Sequence, residues 1–194
     1  MIDWFDVCVT RTEASIHDIE LSRPIRASVF DDRFGPSTIR PEWIRGPTGR
    51  RKTHLHCYDL FGLTMIEDDA THLVSSAMFI FNRSKVFYPT RNEFAGRFQL
   101  GDTTISRRTP EAWLADTGLE FKRINAGLWL TIVACGATGT DPVSVIVESK
   151  IRRVPQKRSR NREIVSVSLC PHSSSAIFAH PTSNGRPLSL SIQN

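Results

Sequence analysis

At 194 residues, 40% apolar and 23% charged, the chain is long enough to bury a core without disulfide or metal staples, and its composition excludes a wholly disordered protein. The formal charge of +5 is unevenly spread: residues 1–149 carry 17 basic and 19 acidic side chains, residues 150–162 seven basic and no acidic ones, and residues 163–194 one of each. The basic character therefore belongs to one short segment and not to a basic domain surface.

Cys8, Cys57, Cys135 and Cys170 are widely separated, with no C-x-x-C pair, which reads as free thiols in a reducing compartment. The amino terminus, MIDWFDVCVT, places acids where a secretory signal needs a basic flank and an apolar run. No apolar stretch approaches the ~18 residues of a membrane span. A cytoplasmic protein without membrane contact is the expectation.

In chain order, Trp4–Val9 and Ser15–Leu21 read as short strands. A helix is predicted over residues 22–35: Ser22 can cap, Ile25, Val29, Phe30 and Phe34 recur at helical spacing, and Gly35-Pro36 ends the run. Residues 36–53, rich in Pro, Gly and Arg, read as an irregular loop. Three strand-like runs follow, His54–Leu60, Gly62–Glu67 and Leu73–Phe81, with Asp68-Asp69-Ala70-Thr71 as the connection between the last two. Phe94–Leu100 and Thr103–Arg107 flank Gly101-Asp102 as a tight hairpin. Thr109-Pro110-Glu111 opens a second predicted helix, closed by Gly118. Leu128–Ala134 and Val143–Lys150 form a further hairpin. Beyond Ile151 the pattern dissolves into the charge run Arg152–Arg162 and a Ser-, Pro- and His-rich tail. Only Glu163–Leu169 alternates as an added strand would.

The two halves share an order. Leu21-Ser22-Arg23 matches Ile105-Ser106-Arg107, a short helix follows each, and Gly62-Leu63 and Gly127-Leu128 open comparable hairpins. The expectation is an α+β fold: tandem strand–helix–hairpin units at 1–83 and 84–151 merge into a mainly antiparallel sheet. Its helices lie on one face and its other face is free. A basic linker and largely disordered tail, 152–194, then complete the chain.

Catalytic and cofactor motifs do not survive inspection. Gly46–Thr53 (GPTGRRKT) places Arg51 where a phosphate-binding loop needs Gly before the Lys. His54 and His56 share a strand face, but two imidazoles, with His72 on a separate hairpin, are an incomplete metal set. The adjacent pairs Asp31-Asp32 and Asp68-Asp69 diverge on either a helix or a strand, so neither reads as an acid/base dyad. No catalytic residue, metal or cofactor is expected. Trp43 with Arg45, Arg50, Arg51 and Lys52 combines the residue types enriched at binding hot spots. The alternative for Trp43 is a lid folded back on its own core. The run 152–162 offers phosphate contacts to nucleic acid, without a recognition helix or stacking platform beside it.

Residues 21–35 with 62–81, repeated as 105–118 with 127–150, resemble the duplicated helix-plus-sheet layout of beta-lactamase inhibitor protein and small bacterial immunity-type proteins. Phe94–Gly101 followed by the Thr109 helix also resembles a widespread bacterial domain of unknown function. The first resemblance implies a non-catalytic protein that binds and blocks one protein partner, such as a toxin or enzyme, through a free sheet face and loops; the lack of a signal peptide departs from the secreted inhibitor and suits a cytoplasmic immunity protein. A nucleic-acid-associated protein using 152–162 is the alternative.

Overall fold

The structure, a computed structural model, describes residues 5–23, 25–46, 49–82, 90–106, 108–135, 141–151 and 162–171. Its strands in chain order begin with β1 (Asp6–Val9), β2 (Ala14–Ile16) and β3 (Ile19–Glu20), and helix α1 (Ala27–Phe34) follows. Next come β4 (Thr38–Gly46), β5 (Gly49–Tyr58), β6 (Leu63–Asp68) and β7 (Val74–Ile80). The second half supplies β8 (Arg97–Leu100), β9 (Thr103–Ile105), β10 (Lys122–Asn125), β11 (Leu128–Cys135) and β12 (Asp141–Ile151). The last strand is β13 (Arg162–Pro171).

The α+β expectation is wrong. The described residues form two packed sheets: a five-stranded one ordered β3-β2-β1-β8-β9 and an eight-stranded one ordered β10-β11-β12-β13-β7-β6-β5-β4. All pairings are antiparallel except β1 with β8. Among the described residues one α-helix remains, and the helix predicted from Thr109 is a 3-10 segment, Glu111–Thr117, closed by Gly118 in the left-handed conformation. The predicted irregular loop is the other source of the error. From Thr38 it is strand, and β4 and β5 make one long hairpin whose turn residues 47 and 48 lie outside the described set.

Both sheets take strands from each side of residue 83. In the larger one, β13 lies between β12 and β7, with Val167 opposite both Val147 and Phe79. The charge run from 152 to 161 and the tail from 172 onward lie outside the described residues.

The core fills the space between the sheets. Val7, Val9, Phe98 and Leu100 from the small sheet meet Met65, Phe79, Val145, Val167 and Leu169 from the large one, and all are buried. Phe5, Phe34, Phe61, Phe79, Phe94 and Phe98 interlock through ring pairs with centroids 4.8–6.0 Å apart. Such offset and edge contacts each contribute about 0.5–1.5 kcal/mol beyond area burial. Helix α1 buries Ala27 and Phe30 in this core, and the Ile25 carbonyl before it accepts a bond from the Val74 amide of β7. The far face of the large sheet is not left free: Leu128, Leu130, Ile146, Cys170, Met78 and Ile80 on it are buried. Among the described residues no helix is long and apolar enough to cross a membrane.

Candidate functional site

The β4–β5 hairpin is an arm, and cross-strand pairing decides which side chains share a face. Ile39 lies opposite His56, Pro41 opposite His54, and Trp43 opposite Lys52; His54 in turn lies opposite Glu67 on β6. Directly paired residues project to one side of a sheet, and alternate residues follow them. Tyr58, Leu63 and Met65, on the same side nearer the body, belong to the core. The core-facing side of the large sheet thus continues past the core into a polar face: Ile39, Pro41, Trp43, Arg50, Lys52, His54, His56 and Glu67.

Of the residues singled out in the sequence, Trp43, Arg50 and Lys52 come together on this face. Arg51 falls on the opposite side, where it pairs with Asp68 at 3.6 Å. Arg45 pairs through its backbone with Arg50; its side chain lies outside the described set. Trp43 is 61% exposed and Ile39 56%, so Trp43 is not a lid on its own core. The other exposed large apolar side chains among the described residues, Val29, Leu60, Trp113, Ile132 and Ile151, stand on separate elements. Scattered single residues of that kind are normal, whereas Ile39 and Trp43 flank Pro41 in one row.

Beside the row, on the same face, lies a polar cluster invisible in sequence order. The Glu67 carboxylate is approached by His72 Nδ1 at 3.3 Å, His56 Nε2 at 3.4 Å and His54 Nδ1 at 3.9 Å. His54 Nε2 also reaches Asp69 at 3.4 Å, and Lys52 Nζ reaches the same Asp69 oxygen at 3.0 Å. The Lys52 ammonium beside it holds the Asp69 carboxyl below its ordinary range. His72 adopts a left-handed backbone conformation, φ 56°, and its ring bond to Glu67 fastens the β6–β7 turn. Sequence reasoning found the histidines but missed Glu67 and Asp69. The available signal was Lys52, His54 and His56 at strand spacing; their partners depend on a register set by β6. Among the described residues no three His, Cys, Asp or Glu side chains are arranged to hold a metal ion.

At the inner end of the cluster, Ser37 Oγ and His56 Nδ1 are hydrogen-bonded at 3.0 Å, while the buried His56 Nε2 lies 3.4 Å from Glu67 without a hydrogen bond. A serine nucleophile also needs backbone donors aimed at a developing oxyanion. Pro36 has no amide hydrogen, and the Ser37 amide donates to Asp31 Oδ1 at 3.0 Å. Asp31 Oδ1 also accepts from the Tyr58 hydroxyl at 2.9 Å. These bonds tie the end of α1 to the root of the arm. Burial raises the Cys8, Cys57 and Cys170 thiols, Cys170 to about 12.

Alternation also fixes the arm's free edge. The Asp69 amide donates to the Lys52 carbonyl, so Lys52, His54 and His56 direct their backbone groups toward β6. Arg51, Thr53, Leu55 and Cys57 then serve β4, meeting Ile44, Glu42, Arg40 and Thr38. This leaves Ile39, Pro41 and Trp43 with backbone groups turned outward from the last strand of the sheet. Proline at the middle of that edge removes a donor that would recruit another strand. No family model, curated protein or solved structure matches the chain.

Proposed function

We propose that the protein is a non-catalytic protein-binding module of immunity or inhibitor type, which blocks one partner protein by covering it with the β4–β5 arm. The observation that carries this proposal is the exposed Ile39–Pro41–Trp43 row on a braced hairpin, with Arg50 and Lys52 beside it. An exposed Trp with neighbouring Arg is the composition of a binding hot spot. The arm is fixed at its root by the Ser37–His56 and Tyr58–Asp31 hydrogen bonds and along β5 by the Lys52–Asp69 pair, so little ordering entropy remains to be lost on docking. Affinity capture from the native host with wild-type and Trp43→Ala baits tests it. A stoichiometric partner lost with the variant is expected; no partner, or equal recovery by both baits, would overturn it.

A further inference from the structure

We propose, resting on the arm as the partner-binding face, that its occupant is an acidic protein segment laid across the Ile39–Pro41–Trp43 row rather than a strand added to the sheet edge. Charge gives the first argument. Residues 38–58 contain Arg40, Arg45, Arg50, Arg51 and Lys52 against the single acid Glu42. Two of these cations are already engaged, Arg51 by Asp68 and Lys52 by Asp69, while among the described residues no acid pairs with exposed Arg50. Of the nearby carboxylates, Asp69 is paired with Lys52, and Glu67 stands one strand further from Trp43, on β6. Arg40 and Arg51 lie on the opposite side, so the unmatched charge next to Trp43 on its own face is that of Arg50.

The second argument is the row itself. Ile39 and Trp43 present apolar area that a phosphate backbone leaves uncovered, whereas a protein segment with an apolar anchor flanked by carboxylates covers both features at once. The third argument is Pro41. Strand addition needs a donor in the middle of the free edge, and Pro41 withholds it.

The probe is a fluorescein-labelled 15-residue peptide of alternating Glu and Leu, with its Lys-for-Glu counterpart and a 20-base-pair DNA duplex beside it, measured by anisotropy. The Glu peptide should bind wild type and weaken as salt rises. Trp43→Ala should weaken it about ten-fold, as loss of a hot-spot aromatic does. Arg50→Glu should weaken it and flatten the salt dependence. Pro41→Thr, which restores the edge donor, should leave affinity within about two-fold, because face docking makes no edge bond. Absence of Glu-peptide binding, equal binding of the Lys peptide, tighter binding of the duplex, or a Pro41→Thr variant that binds ten-fold better would each overturn the proposal. Failure here with loss of the captured partner in the Trp43→Ala bait would leave the arm as the binding face and reject only an acidic occupant; equal capture by both baits would reject the arm itself.

Discussion

Trp43 illustrates how far single residues can be read. Its type and its arginine neighbours were legible; whether it folded back or stood out depended on a strand register that local sequence does not encode. Because it is 61% exposed, Trp43→Ala should change unfolding free energy by no more than about 0.5 kcal/mol in a denaturant titration. Gly101 is the contrasting case. Its φ is +56°, and an added Cβ would stand 1.7 Å from the Thr117 carbonyl oxygen. Gly101→Ala should therefore destabilise the fold by about 2 kcal/mol or more, read by the same titration. Gly101-Asp102 was recognised as a turn, but the close approach of Thr117 could not be. Cys170 gives the pH dependence at this scale. Burial raises its thiol from 9.0 to about 12, so the folded state holds that proton more tightly than the unfolded chain does. Its contribution to stability is then complete below pH 9 and is lost as pH rises toward 12. Cys170→Ala should flatten the alkaline decline of stability between those values; an unchanged decline would assign it to other groups.

Elements were legible where punctuation and pattern agreed. The runs around Asp68–Thr71 and Gly101-Asp102 became β6–β7 and β8–β9 because turn formers sit between alternating segments. The arm was misread because Pro36, Pro41, Gly46, Pro47 and Gly49 look like loop chemistry. Pro41 is compatible with a strand only where its missing amide hydrogen would point away from the sheet, and an edge position cannot be known before the topology is. The same alternation makes a measurable prediction along β4. In native-state hydrogen exchange the amides of Arg40, Glu42 and Ile44 should be protected, while those of Ile39 and Trp43 should exchange rapidly. Uniform protection would mean that the edge is covered. The segment from Thr109 shows the opposite lesson. Its stop signal, Gly118, was sound, but Thr109 does not cap the segment, its hydroxyl accepting from the Ser106 amide, and the seven residues between Pro110 and Gly118 wind only as 3-10 helix, with Leu114 and Thr117 buried.

At the scale of the molecule, sequence order misled because neighbours in the sheets are distant in the chain. The parallel pairing of β1 with β8, and the insertion of β13 between β12 and β7, are long-range choices with no local signature. Alternation at Glu163–Leu169 marked a strand, but not that it would join the two parts of the large sheet. Val165, Val167 and Leu169 are buried there, so a chain ending at residue 161 should lose cooperative thermal unfolding and not merely a dispensable tail. A truncated chain that still unfolds in one sharp transition would contradict that. The proposed binding face belongs to this scale as well, since the arm is held by α1 through Tyr58–Asp31 and by β6 through its strand pairing. Hydrogen exchange of the protein with its captured partner tests the face most directly. New protection confined to residues 38–46 and 50–56 is the predicted result, and protection concentrated instead on β10–β12, with the arm unchanged, would contradict it.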